Sequence, residues 1–182
     1  TDFVRRDGGE AIRQAHLLAP DGQMVQHTGA SCVPWAGHVS ATDISVAGNM
    51  LVGPDVVRDT LASYLEHPEL PFAERLLCAM EAGEAAGGDS RGRQAAGLVI
   101  HAGQPYPALD FRADDHANPL GELRRLLAVS KERYAIFATS MATTDNFSGM
   151  IDRQPLDAAI AKDEAYRDEH GIISQSFAAP SA

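Results

Sequence analysis

The densest group of residues able to do chemistry is the run from Glu81 to Gln94, EAGEAAGGDSRGRQ. Gly87 and Gly88 let the backbone come close to a ligand, because glycine has no Cβ to obstruct it. Asp89, Arg91 and Arg93 follow at once, and an arginine on a short loop offers a planar fork that matches a carboxylate. The same residues also suit a solvated loop in which Asp89 and Arg91 pair only with each other. No Gly-Lys-Ser/Thr follows the glycines, so the run is not a phosphate-cradling P-loop. A second group is Ala47 to Leu51, AGNML. A Gly-Asn at a strand end can aim the Asn49 amide and nearby N–H groups at a developing oxyanion. A plain turn that uses Asn for its tolerance of left-handed backbone has the same sequence.

Two further groups are weaker. Arg112 to His116 (RADDH) places two carboxylates beside an imidazole, a donor set that suits a metal. The residues are adjacent, however, and immediately precede a helix start, where carboxylates favour the helix dipole. His27, Thr28 and His38 would suit a Thr–His hydrolase only if a ring nitrogen came within hydrogen-bond reach of the hydroxyl. Sequence does not fix that distance, and His27 reads more simply as a strand residue with a satisfied ring. Trp35 reads as packing. Thr1, as a first residue, carries an α-amino group able to act as base for its own hydroxyl.

These groups need elements to position them. Gln14 to Ala19 and Gln23 to Thr28 flank Pro20, Asp21 and Gly22, which predicts a β-hairpin. Cys32 to His38, with Pro34 and Gly37, predicts a loop, and Ile44 to Val52 a strand leaving at Gly48 and Asn49. Gly53 and Pro54 open a helix whose apolar face is Val57, Leu61, Tyr64 and Leu65. A second helix carries Phe72, Leu76, Leu77 and Met80 and runs out at Gly87 and Gly88. Ala95 to His101 and Tyr106 to Ala113 predict two more strands. Asn118 and Pro119 cap and start a third helix with Leu120, Leu123, Leu126 and Leu127 on one side. From Thr139 the pattern weakens to a loop and a thin helix over Leu156 to His170. Residues 1–138 therefore read as one domain and 139–182 as a peripheral tail. Strands in blocks with paired helices between them predict antiparallel sheet covered by helices, an α+β fold without βαβ alternation.

Composition narrows the partners. The 182 residues carry 15 Lys and Arg against 25 Asp and Glu, a formal net charge of −10, which opposes binding to phosphate backbones. No apolar run approaches the roughly 18 residues of a membrane helix, and no signal segment opens the chain. The expectation is a cytoplasmic protein with no nucleic-acid or membrane partner. Cys32 and Cys78 form no disulfide framework or zinc pair and read as small buried hydrophobes.

Taken in order, several of these stretches resemble a bacterial and archaeal family of unassigned function within the N-terminal-nucleophile (Ntn) hydrolase superfamily. They are Arg13-Gln14, Asp21-Gly22, His27-Thr28-Gly29, Trp35-Ala36-Gly37, Gly48-Asn49-Met50-Leu51, Glu74-Arg75-Leu76-Leu77, Glu81 to Gln94, and Asp114-Asp115-His116 with Pro119 and Leu123. The run Ala86 to Gln94 is the most specific. The resemblance implies an αββα sandwich, two antiparallel sheets between helix layers. It also implies a long segment of sheet and helix before the Arg-Gln pair, where this chain has twelve residues. The chain is thus expected to be truncated at its N-terminus, with the nucleophile upstream of it. Ala95 departs from the family, which more often has Ser there, and the tail after Thr139 has no counterpart.

The resemblance makes the chain an amide-bond hydrolase in expectation. Asn49 would be an oxyanion donor, and Asp89 and Arg91 would position a small-molecule substrate, one bearing a carboxylate. No cofactor or metal is called for, and homo-oligomer formation is left open. The alternative is a non-catalytic binding or assembly module that keeps the fold.

Overall fold

A computed structural model describes residues 2–178. Thr1 lies outside them, and with it the idea that Thr1 is a nucleophile. The chain divides into two compact units, Thr1–Arg93 and Gln94–Ala182, and each is α+β with antiparallel hairpins.

The first unit opens with a short helix α1 (Asp2–Arg6) and a single 3-10 turn (Glu10–Ile12). The strands β1 (Gln14–Leu18) and β2 (Met24–Thr28) then pair antiparallel, with Gln14 opposite Thr28 and His16 opposite Gln26. The predicted turn residues act as expected. Asp21 Oδ1 accepts from the N–H of Gln23 at 3.1 Å, and Gly22 takes φ 82°. A second hairpin follows, β3 (Gly37–Ala41) with β4 (Ile44–Gly48). This corrects the loop reading of 32–38. Gly37 and His38 are strand residues, and the loop before them ends at Ala36. Gly37 read as a strand breaker, but it is needed there because a Cβ would lie 2.3 Å from the Trp35 ring. The strand predicted over 44–52 likewise stops at Gly48.

The faces of the hairpins are arranged unusually. Strand alternation puts Gln14, His16, Gln26 and Thr28 on one face of the first hairpin and Ala15, Leu17, Val25 and His27 on the other. The polar face is the one that meets the second hairpin, through His38 and Ser45. Leu17 and Val25 are left 59% and 37% exposed.

Helices α2 (Asp55–Glu66) and α3 (Phe72–Ala85) pack on each other, and α2 also packs on β3 and β4. Their buried residues are Val56 and Val57 in the first turn of α2, and Leu77, Ala79 and Gly83 in α3. Leu65 and Phe72 of the predicted apolar faces, at the end of α2 and the start of α3, are exposed. Gly83 is required by the close approach: a Cβ there would sit 2.2 Å from Thr60 Oγ1. Helix α3 ends as its two glycines predict. Gly88 N–H donates to Gly83 O at 3.1 Å and Gly87 N–H to Glu84 O at 2.9 Å, with φ of 59° and 115°. This is the Schellman pattern, which needs left-handed backbone.

In the second unit β5 (Ala96–His101) pairs antiparallel with β6 (Pro107–Ala113). Helix α4 (Pro119–Glu132) covers the hairpin through Leu120, Leu123 and Leu127, buried with Leu98 and Ala113. Asn118 caps it, accepting from Gly121 N–H at 3.2 Å. Two helices follow, a short α5 (Tyr134–Ala138) not read from the sequence and α6 (Gln154–Glu169). No helix among the described residues is long and apolar enough to cross a membrane.

Candidate functional site

The strongest concentration of polar geometry lies in the first unit, where the two hairpins meet and where the turn after β4 is held. The turn is Gly48 to Val52, and it is fixed on both sides. On one side Leu51 and Trp35 exchange backbone hydrogen bonds at 3.0 and 3.2 Å, and Met50 N–H donates to Val33 O at 3.2 Å. On the other, Ser90 donates twice to Met50 O, from its N–H at 2.8 Å and its hydroxyl at 2.7 Å, while Val52 N–H donates to Gly88 O at 3.1 Å. Leu51 and Asp89 form a β-bridge. Within this frame Met50 is left-handed, φ 56°. A non-glycine residue pays for that conformation and keeps it only where surrounding bonds over-determine the chain, a pattern concentrated at functional sites.

Asn49 sits in this held turn with its side chain exposed. Its Nδ2 has a long contact of 3.5 Å to Oε1 of Gln14. Gln14 is anchored in turn: its Nε2 has three acceptors for its two N–H groups, Thr28 Oγ1 at 3.0 Å, Gly48 O at 3.0 Å and Gly37 O at 3.1 Å. Gly37 and Gly48 are register partners at the open end of the second hairpin. Gln14 therefore plugs that end and reaches Asn49 from the same amide. Thr28 Oγ1 then meets Nδ1 of His38 at 2.7 Å. The reach that a Thr–His pair requires is present for His38 and not for His27, whose Nε2 meets Glu10 O at 2.8 Å.

Asp89 and Arg91 are together, and they hold each other. Arg91 Nε donates to Asp89 Oδ1 at 2.9 Å and Nη2 to Oδ2 at 2.6 Å, a bidentate pair. The Arg91 backbone N–H adds a bond to Oδ1 at 2.8 Å. These donors, the guanidinium first and the N–H second, hold the Asp89 carboxyl down to about 2. The pair reads as the self-paired alternative of the loop, yet Arg91 remains 67% exposed at its side chain. Arg93 pairs with Glu84 of α3. The loop is thus a rigid charged rim attached through Ser90 to the Asn49 turn.

A second polar chain runs beside the first. Gln26 Nε2 donates to Ser45 Oγ at 2.6 Å, and Ser45 Oγ meets Nδ1 of His16 at 2.5 Å. His16 Nε2 is buried without a hydrogen-bond partner among the described residues. Burial, and next the neighbouring His38 ring 6.0 Å away, hold the His16 pKa below its ordinary value. Asn49, Thr28 and His38 are legible in the sequence as candidates; the roles of Gln14, His16, Gln26 and Ser45 are not. The available signal was the polar alternation of Gln14 and His16 against Ala15 and Leu17.

The remaining candidates do not converge. Asp114 takes Arg112 at 3.2 Å, Asp115 takes Gln94 at 3.2 Å, and Nδ1 of His116 accepts from Asn118 N–H at 3.0 Å, each a separate local bond. A cleft of about 350 Å³ in the second unit is lined by Lys131, Glu132, Asp163, Tyr166, Arg167 and Ile172, among others. Its Arg167 and Asp163 pair at 2.8 Å, and none of the sequence candidates lines it.

A sequence profile of the family of unknown function DUF1028 matches residues 1–123. Among solved structures, the crystal structure of a DUF1028-family protein from Silicibacter pomeroyi is similar at 27% identity and a TM-score of 0.73. The alignment covers 83% of this chain and 65% of that one, so the chain spans less than two thirds of the relative's length. No curated protein matches the chain.

Proposed function

We propose, for a chain that belongs to the DUF1028 family of unknown function, that the seam of the first unit is part of an amide-bond hydrolase site of the N-terminal-nucleophile type. Asn49 is its oxyanion donor. The observation that carries the reading is the held turn: Asn49 precedes left-handed Met50 in a segment bonded to Val33 and Trp35 on one side and to Gly88 and Ser90 on the other. Donors that stabilise a developing oxyanion work by being fixed before the reaction, so that no reorganisation is needed as charge appears. Gln14 orients the amide from behind.

Asp89 and Arg91 position the substrate in this reading. The locked pair presents the outer edge of the guanidinium to a substrate carboxylate, and Asp89 supplies the rigidity. The fold proposed to carry the site is an αββα sandwich. Support comes from the antiparallel hairpins of the first unit, which meet through side chains while α2 covers one of them. The test is Asn49→Ala in the full-length gene product against small amides, with and without a carboxylate.

A second reading, a binding or assembly module on the same fold, is favoured by the exposed apolar face of the first hairpin at Leu17 and Val25. Such a face at the surface marks an interaction site when it is contiguous. Leu17→Lys with Val25→Lys would abolish self-association under that reading and leave hydrolysis unchanged under the first.

A further inference from the structure

We infer that Thr28 and His38 form a hydroxyl–imidazole dyad able to attack an acyl group, a nucleophile lying inside β2 and not at a protein N-terminus. Two chains of the same make-up cross the seam, Gln14–Thr28–His38 and Gln26–Ser45–His16. In each, an amide NH₂, which can only donate, occupies one lone pair of the hydroxyl oxygen. In the Nε2–H tautomer of His38 the Thr28 hydroxyl hydrogen points at Nδ1, which accepts it and stands as its base. At His16 the same tautomer would bury an N–H with no acceptor among the described residues.

Burial separates the two chains. A proton gained by His16 would put charge on a ring whose Nε2 is buried without a partner among the described residues, and unpaired buried charge is costly. Ser45–His16 therefore serves to join the hairpins. His38 is exposed, so the imidazolium formed when it takes the Thr28 proton is solvated through Nε2–H. Thr28 also shares Gln14 with Asn49, which brings an amide donor to the same end of the hairpin as the dyad.

The reaction balances without any further reagent. Thr28 Oγ1 bonds to the carbonyl carbon of an ester or amide, and its proton passes to His38 Nδ1. The imidazolium returns that proton to the leaving oxygen or nitrogen as the acyl bond breaks. Water then attacks the Thr28 ester and gives its proton to His38, which returns it to Thr28 as the carboxylic acid leaves. The inference goes beyond the hydrolase reading, whose own nucleophile is N-terminal: the dyad is a second acyl acceptor beside that site, and its attack belongs to Thr28 and His38 alone.

The test is covalent trapping. The protein is incubated separately with p-nitrophenyl acetate and with an alkyl fluorophosphonate, then digested and mapped by mass spectrometry. One acetyl or phosphonyl group is expected on the peptide containing Thr28, retained in Thr28→Ser, lost in Thr28→Val and formed roughly 100-fold more slowly in His38→Gln. Nitrogen-15 NMR of the unmodified protein should show neutral His38 as the Nε2–H tautomer, a readout that needs no variant to fold. A label on Ser45, on Thr1 or nowhere overturns the dyad, and so does an Nδ1–H tautomer. Asn49→Ala separates the two proposals. Labelling of Thr28 at the unmodified rate in that variant keeps the dyad, while its amide kcat judges Asn49 separately. An unlabelled Thr28 in the unmodified protein removes the dyad and leaves the reading of Asn49 standing.

Discussion

The hydroxyl and the backbone N–H of Ser90 both donate to the carbonyl of Met50, at 2.7 and 2.8 Å. These two hydrogen bonds from one residue to one carbonyl tie the charged Gly-rich loop to the Asn49 turn. Motifs forty residues apart in the chain become one rigid rim. The left-handed Met50 follows from the same tie, since its carbonyl must face Ser90 while its N–H faces Val33.

Gln14 is expected to matter for stability before it matters for chemistry. Gln14→Leu would leave the Gly37 and Gly48 carbonyls and the Thr28 hydroxyl without their shared donor. Leaving such groups unsatisfied costs about 1–3 kcal/mol. Urea unfolding should show the midpoint falling with an unchanged slope.

Glycine substitutions should divide by what a Cβ would meet. At Gly29 it would lie 2.2 Å from the backbone oxygen of Ala11, which cannot turn aside. At Gly53 nothing lies within 4 Å. Gly29→Ala should destabilise by about 1–3 kcal/mol, as forced overpacking does. Gly53→Ala should be neutral or stabilise by up to about 1 kcal/mol. Thermal unfolding of the two variants side by side checks the contrast.

Much of this frame was legible in the residues. Pro20-Asp21-Gly22 announced the first hairpin, Gly87-Gly88 the end of α3, and Asn118-Pro119 the start of α4. Each rests on local backbone chemistry that acts within a few residues. β3 was not legible, because Gly37 and His38 look like loop residues until Trp35 is seen lying against Gly37. The seam was hidden for a different reason. Gln14 and His16 point toward the other hairpin while Leu17 and Val25 face out, the reverse of the usual alternation. Only the packing of one hairpin face against the next hairpin brings Thr28 to His38 and His16 to Ser45.

Acid should weaken the fold in two separate windows. His16 is held below its ordinary value of 6.5 by burial and then by His38. As pH falls through 6.5 the unfolded chain takes up a proton that the folded chain resists, so stability declines. The groups facing this ring are Ser45, Gln26 across the strand pair and His38. His16→Gln should flatten the decline between pH 7.5 and 5. Asp89, held down to about 2 against an ordinary 3.8, contributes stability that is present above 3.8 and lost as pH drops toward 2. Asp89→Asn should remove only that lower portion. Denaturant unfolding across pH measures both.

Arg91 should affect binding more than turnover. If its outer edge meets a substrate carboxylate, Arg91→Ala removes a charge-assisted bond of about 1.5–3 kcal/mol. KM for a carboxylate-bearing amide should rise roughly 10- to 100-fold with kcat held, and KM for the neutral analogue should not move. Arg91→Lys should behave like Arg91→Ala, because an ammonium does not reproduce the bidentate lock on Asp89. Steady-state kinetics on the matched pair of amides gives the answer.

If the turn after β4 is fixed so that Asn49 can receive an oxyanion, the decisive measurement is kcat for hydrolysis of a small amide by the Asn49→Ala full-length protein. A loss of roughly 100- to 1,000-fold in kcat with KM little changed is expected, the signature of a donor used only in the transition state. A kcat equal to that of the unmodified protein, on a substrate it turns over, would contradict it.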